Sequence, residues 1–476
     1  MTILTAHFRR LPLLLLPFSA ACGQAPPAAN PAARPPMPPD SLALWLRPRL
    51  DSAQAFRGHQ VGLSLADAGT GETLFGYHEA QYFSPASTAK LLSLYAGLQL
   101  LPDSLPSLRY FSRGDTLYFQ GTGDPTFLHG DVPSRRAYDF LAHRPEKLLA
   151  YCELPTPPAY GPSWAWDDFG YYFQPERGPF PVYGHTVRFY HWPGVAAAPK
   201  RPAMPERLKV LPHYFASLAA AAPPALAASL AADPDAHVRR LPLDNRFQVL
   251  PSAKKWVDEV PFRTSRALTL QLLGDTLRRR IAGGQWHPRP GRDSIRTLHG
   301  LPADSLYRRM LRVSDNFLAE QLLLLCSTRI GYRDSLSTDR VIREMLRHRL
   351  AFLPDRPVWV DGSGLSRLNL LTPRALTALL VKLHGELDEK RLLSLLAPGG
   401  GPGTLRRRYH EAGPPKITWF WGKTGTLTHT CNLAGYLRCR SGRLLAVTFF
   451  HNNIYADDQA TRNEMERLLR QLRARL

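Results

Sequence analysis

Cysteine is scarce in this 476-residue chain, with five residues at irregular spacing: Cys22, Cys152, Cys326, Cys431 and Cys439. That thin, uneven usage excludes a disulfide-stapled framework. Cys431 and Cys439 would lie about 26 Å apart on one strand at ~3.3 Å per residue, too far to bridge. Buried free thiols are the expectation. Long hydrophobic runs are also missing: Leu11 to Phe18 is far shorter than the roughly 20 residues that span a bilayer. Zinc-protease spacing is absent, because His78-Glu79 and His410-Glu411 lack a second His four residues after the first. No metal and no cofactor is expected. Acidic residues are few, 39 against 60 Lys and Arg, for a formal charge of +21. The basic residues fall in clusters such as Arg278–Arg280 and Arg406–Arg408 without interleaved aromatics, which argues against a nucleic-acid partner. A generally Arg-rich surface, or attraction to an anionic envelope, accounts for them.

What is present begins with an export signal. Arg9 and Arg10 precede the short apolar run, and small residues Ser19, Ala20 and Ala21 lead to Cys22. Residues 1–21 therefore read as a signal peptide. Two processing routes stand: Ser19-Ala20-Ala21-Cys22 resembles a lipoprotein box with lipidated Cys22, the favoured reading, while Ser19 and Ala21 also suit an ordinary signal peptidase. Residues 22–40, with seven prolines, read as a semi-rigid tether behind a membrane anchor.

Beyond it, Val61 to Leu65 and Thr73 to Tyr77 flank Ala68-Gly69-Thr70-Gly71 and predict a hairpin. From Pro85 the pattern turns helical, with Leu91, Leu92, Leu94, Tyr95, Leu98 and Leu101 on an apolar face up to Pro102. Ile417 to Leu427, Leu433 to Arg438 and Leu444 to Phe450 predict three more strands, and residues 457–476 a closing helix. Five strands from both chain ends, with helices between, imply a discontinuous α/β domain over 41–121 and 261–476. The middle, 122–260, is rich in Pro, aromatics and short strand-like pieces, including His185 to His191 and Leu208 to Phe215. It reads as an inserted, mainly-β accessory domain.

Three short motifs carry chemistry. Ser87-Thr88-Ala89-Lys90 opens the first helix, where residues three apart share a face, so Lys90 would stand beside the Ser87 hydroxyl. A serine needs a base to become a nucleophile, and an amine serves only when neutral. Alone the motif is weak: Ser252-Ala253-Lys254-Lys255 repeats it beside Pro251 without a helix, and reads as accidental. Ser314-Asp315-Asn316 precedes the apolar helix Phe317 to Leu325, and its bland reading is an N-cap. Lys423-Thr424-Gly425 lies on a strand with Trp419 and Trp421. There Lys423 and Thr424 could hold a carboxylate, and Gly425 would let a substrate backbone approach. In this order the three form the set of penicillin-binding proteins and class A β-lactamases.

The chain resembles one family in particular: the class C, type-4 penicillin-binding proteins, which are D-alanyl-D-alanine carboxypeptidases and endopeptidases. Pro85-Ala86-Ser87-Thr88, Gly123-Asp124-Pro125-Thr126, Asp361 to Arg367 and Asn432 to Tyr436 are similar to blocks of that family. The resemblance implies a five-stranded antiparallel sheet flanked by helices in a transpeptidase-like domain, and peptidoglycan stem peptides as substrate. It implies β-lactams as inhibitors and a place in the cell envelope. It further implies Ser87 as the acylated nucleophile, Lys90 as its base, Ser314 as a proton relay and Asn316 as a residue that hydrogen-bonds the substrate and orients Lys90. Lys423 and Thr424 would bind the terminal carboxylate, with Gly425 beside them, and the amides of Ser87 and Thr426 would form the oxyanion hole. Trp166 to Phe173 is similar to a segment that reaches back to the site, making Asp168, Phe173 and Arg367 candidate substrate contacts. A β-lactamase, or a catalytically silent wall-binding protein, are the rivals. The first would need a deacylating Glu before the third motif in a much shorter chain, and the second is disfavoured by the intact motif residues.

Overall fold

The computed structural model describes residues 39–476 apart from 133, 156–157, 195–205, 224–236, 332–334 and 457. The signal, Cys22 and nearly all of the tether lie outside the described residues. Among the described residues no helix is long and apolar enough to cross a membrane.

The hairpin forms where the turn chemistry places it. Strands β1 (Gln60–Asp67) and β2 (Thr73–Tyr77) are joined by a turn in which the Asp67 carboxylate accepts from the amides of Gly69 (2.9 Å) and Thr70 (2.8 Å). The rest of this sheet comes from the far end of the chain: β15 (Phe420–Leu427), β16 (Thr430–Arg438) and β17 (Leu444–Asn452). β1 lies between β2 and β17, and Gln60 faces Asn452. The two-residue β14 (Ala397–Pro398) adds a sixth, short strand that pairs only with Trp421 and Gly422 of β15. All pairings in this sheet are antiparallel.

Strands β16 and β17 are almost wholly buried, because helices cover both faces of the sheet. One face carries Pro39–Ser52 and Asp458–Arg475 through Leu42, Leu46, Leu50, Met465 and Leu469. The other carries Lys90–Leu100, Ala303–Arg312, Asn316–Ser327 and Pro373–Glu386, whose leucines build the larger core. Cys152, Cys326, Cys431 and Cys439 are free and buried, as expected.

The accessory region extends past both edges of 122–260. Strands β3 (Ser104–Arg113) and β4 (Thr116–Gly121) precede that span, yet they join β5 (Leu148–Tyr151), β12 (Ile281–Gly283) and β13 (Arg296–Pro302) in one five-stranded sheet. Its apolar cluster correspondingly includes Leu108, Leu117 and the helix residues Leu272 and Leu273. Two small sheets complete it, one of β6 (Thr186–Trp192), β7 (Arg207–Leu211) and β11 (Trp256–Pro261), the other of β8 (Ala219–Ala221), β9 (Val238–Arg240) and β10 (Phe247–Val249).

Polar side chains on the helix Asn316–Ser327 lock this region to the first. The buried Gln321 amide donates to Gly123 O (2.8 Å) and Gly178 O (2.9 Å) and accepts from Gly178 N (3.0 Å). Beside it Arg177 meets Glu320 at 3.2 Å, both side chains at most 3% exposed. The same guanidinium donates to the carbonyls of Pro158 (3.0 Å) and Tyr160 (2.7 Å). Removing one partner of such a pair leaves an uncompensated buried charge. Arg177→Met should therefore cost about 3–5 kcal/mol in chemical denaturation, and adding Glu320→Gln should recover part of the loss. An unchanged midpoint would refute this account of the junction.

Candidate active site

Ser87 sits in a 3-10 turn, Ala86–Ala89, that runs directly into the helix Lys90–Leu100. The i to i+3 spacing brings Lys90 Nζ to 2.9 Å from Ser87 Oγ. Lys90 is fully buried, and its amine also donates to Asn316 Oδ1 (2.6 Å) and Ser363 O (2.6 Å). Burial lowers its pKa to about 8, against the opposing pull of Asp361, Asp315 and Glu320. Desolvation of an ammonium is the dominant influence, which leaves a useful fraction of neutral amine near neutrality.

The second motif reconciles its two readings. Asp315 is the N-cap of the helix Asn316–Ser327, accepting from Leu318 N at 3.0 Å. Its neighbours Ser314 and Asn316 line the cleft. Ser314 holds φ +64°, a left-handed conformation uncommon for serine, and Asn316 donates from Nδ2 to Phe173 O at 3.0 Å.

Lys423, the first residue of the third motif, reaches the second. It is fully buried on β15, and its amine donates to Ser314 Oγ (2.8 Å) and Thr424 O (2.5 Å). Burial, reinforced by the charge of Lys90, holds its pKa well below the usual lysine value. Thr424 and Thr426 line the cleft, and Lys423 is connected to it through Ser314. Gly425 has a reason within the fold for lacking a side chain. A Cβ there would stand 2.6 Å from Pro85 O, so the nucleophile turn itself packs against the strand. From Lys423 onward β15 has β16 on one side and no paired strand on the other among the described residues.

The turn is pinned elsewhere too. Asn432 Nδ2 donates to Ser84 O (2.8 Å), and Ser84 N donates to Asn452 Oδ1 (2.7 Å). Gly364, at φ +76°, lies where a Cβ would fall 1.9 Å from Ala86 O. The loop around it is organised by the buried Asp361 carboxylate, which accepts from Gly364 N (2.9 Å), Ser366 N (2.7 Å), Asn369 Nδ2 (2.7 Å) and Trp164 Nε1 (2.9 Å). Glu320 accepts from Ser363 N at 2.7 Å, and burial pushes its pKa up. Arg177, Glu320 and Trp164 were not singled out from the sequence. The available signal was Glu320-Gln321 standing inside an otherwise apolar helical run.

These groups border a cleft of about 900 Å³, lined by Ser87, Ser314, Asn316, Thr424 and Thr426 and also by Asp168, Phe173 and Arg367. All three substrate-side candidates thus share the cleft with the nucleophile. Arg367 donates weakly to Thr428 O (3.3 Å). Burial and the charge of Asp167 raise the Asp168 pKa, against Arg367. By contrast, Lys254 and Lys255 of the second Ser-x-x-Lys match are exposed, in a stretch without a helix.

Residues 266–474 match the D-Ala-D-Ala carboxypeptidase 3 (S13) family. The carboxypeptidase DacB of Mycolicibacterium smegmatis is 31% identical over 169 residues, 34% of this chain and 36% of that protein. The D-alanyl-D-alanine carboxypeptidase DacB of Haemophilus influenzae is 28% identical over 160 residues, 33% of each chain. The matched stretches thus span about a third of the length of these relatives. The crystal structure of penicillin binding protein 4 from Haemophilus influenzae superposes with a TM-score of 0.66 at 20% identity, over 89% of this chain and 98% of that one. The fold is that of penicillin binding protein 4.

The contact beneath Gly425 can be tested directly. Gly425→Ala should displace the Ser87 turn at a cost of about 1–3 kcal/mol and slow acylation of Ser87 about tenfold or more, with the far-UV circular dichroism unchanged. Acylation at the wild-type rate would show that the turn is free to yield.

Proposed function

From a chain that carries the S13 carboxypeptidase match and this fold, we infer a serine DD-peptidase that hydrolyses D-alanyl-D-alanine ends or D-alanyl cross-links of peptidoglycan. The observation that carries the reading is the buried Lys90 amine, 2.9 Å from Ser87 Oγ and lowered to about 8. Neutral Lys90 accepts the hydroxyl proton as Ser87 Oγ attacks the carbonyl between the two D-alanines. The tetrahedral oxyanion is met by the amides of Ser87 and Thr426. Collapse breaks the peptide bond, and Ser314, hydrogen-bonded to Lys423, relays the proton held by Lys90 to the departing amine, which leaves Lys90 neutral again. Water then cleaves the ester and restores Ser87. The peptide enters as an added strand along the unpaired side of β15, with its carboxylate at Thr424 and Thr426. Asp168, Phe173 and Arg367 contact the substrate's side chain on the opposite side.

A β-lactam is an acylating mimic of this substrate, so fluorescent penicillin should label the wild type stably and Ser87→Ala not at all. Rapid loss of label would indicate a β-lactamase instead. The setting is the cell envelope, and lipidation of Cys22 would fix the protein to a membrane. Mass spectrometry of the mature N-terminus distinguishes a diacylglyceryl Cys22 from a plain signal-peptidase product.

Only neutral Lys90 is a base, so acylation should rise with pH. About a tenth of the amine is neutral one unit below its pKa of about 8, giving a rise of roughly tenfold per unit at low pH and a plateau above. Second-order labelling rates across this range check the sign. A rate that falls through the same interval would remove Lys90 from the base role.

A further inference from the structure

Between Ala165 and Gln174 the accessory region turns large aromatic side chains outward. Trp166 is 78% exposed, Tyr171 46% and Tyr172 68%. Rings of this size are ordinarily buried, and a fixed exposed group of them marks a contact surface.

The group is held in shape. Trp166 stacks on Phe169 (centroids 6.4 Å apart, planes at 17°), Tyr171 stacks on Phe173 (5.4 Å, 9°), and Tyr172 meets Phe173 edge-on (5.7 Å, 83°). The backbone closes on itself through Gln174 Nε2 donating to Ala165 O at 2.8 Å. Arg240, 1% exposed, donates to Phe169 O (3.2 Å) and lies over its ring at 4.8 Å. Asn316, a ligand of Lys90, holds Phe173 O.

Two further observations select the partner. The surface is continuous with the cleft, since Ala165, Asp167, Asp168, Tyr172 and Phe173 line it together with Ser87. Two consecutive carboxylates, Asp167 and Asp168, also stand between the Trp166 and Phe169 rings. An anionic bilayer would be repelled by them, and a protein interface core is typically depleted of such charges. A sugar chain suits both elements: the C–H face of a pyranose packs on an aromatic ring, while hydroxyl and acetamido N–H groups donate to carboxylates.

We propose that the Trp166–Tyr172 ridge binds the glycan strand that carries the stem peptide, at the mouth of the cleft. The inference rests on the DD-peptidase reading only in taking the scissile peptide to be that of peptidoglycan. The Trp166 ring adds affinity for polymer-borne peptide and touches neither the stem peptide nor the reacting atoms, so free peptide is turned over without it.

The test compares one peptide in two forms, a free N-acylated peptide ending in D-alanyl-D-alanine and the same peptide on soluble glycan strands. Trp166→Ala should raise KM for the glycan-borne form by about tenfold or more with kcat unchanged, and Trp166→Phe, which keeps an aromatic face, should restore most of it. KM for the free peptide and penicillin acylation should stay within about twofold of wild type. Equal loss on both substrates, or no loss on either, overturns the proposal. In parallel, peptide-free glycan oligosaccharide should change the fluorescence of the wild type saturably and leave that of Trp166→Ala unchanged. Absence of any saturable change in the wild type overturns the proposal. So does a Trp166-dependent co-sedimentation with phosphatidylglycerol vesicles that occurs without glycan binding. Saturable glycan binding by a wild type that hydrolyses neither substrate would leave the ridge intact and refute the peptidase reading.

Discussion

A lysine amine sealed from water is the constraint around which this molecule is built. Lys90 must be dry enough to give up its proton, yet three acceptors must keep it fixed beside Ser87. Those acceptors come from the nucleophile turn, the start of the helix at Asn316 and the loop at Ser363. Each of the three must approach very closely, which is why Gly364 and Gly425 press on the carbonyls of Ala86 and Pro85. Ala86 at φ +48° and Ser314 at φ +64° are bent backbone positions at the same place. The surrounding acids, Asp361, Asp315 and Glu320, favour the ammonium, and burial outweighs them.

The accessory region is part of that seal. Trp164 hydrogen-bonds the Asp361 carboxylate, and Ser163 meets Ser366 at 2.8 Å across the same boundary. Arg177 neutralises Glu320, whose other oxygen holds the amide of Ser363 and so, indirectly, the carbonyl that Lys90 uses. Disturbance of the region would therefore be felt at the base as well as at the substrate.

Much of this was legible in the sequence because its determinants are local. The 67–71 turn, the Ser87–Lys90 spacing, the cap at Asp315 and the apolar runs of β15 to β17 each lie within a few residues. Relations between distant residues were not legible. Arg177 and Glu320 are 143 residues apart, and neither advertises the other. The bounds 122–260 followed a change in composition, whereas β3 and β4 join the accessory sheet through partners on both sides of the span, a matter of pairing that composition does not record. Lys423 was legible as a member of its motif. Its burial under Ser314 needed the third dimension.

The order of strands has a temporal meaning. β17 lies between β1 and β16, so the nucleophile, made early, stands next to a gap that only the final portion of the chain can fill. Until Asn432 and Asn452 arrive, Ser84 lacks the anchors that set the turn, and Ser314 lacks Lys423. A polypeptide that stops short of β16 therefore lacks the anchors of the Ser87 turn. The topology acts as an interlock, tying the shape of the Ser87 turn to side chains 348 and 368 residues further along the sequence.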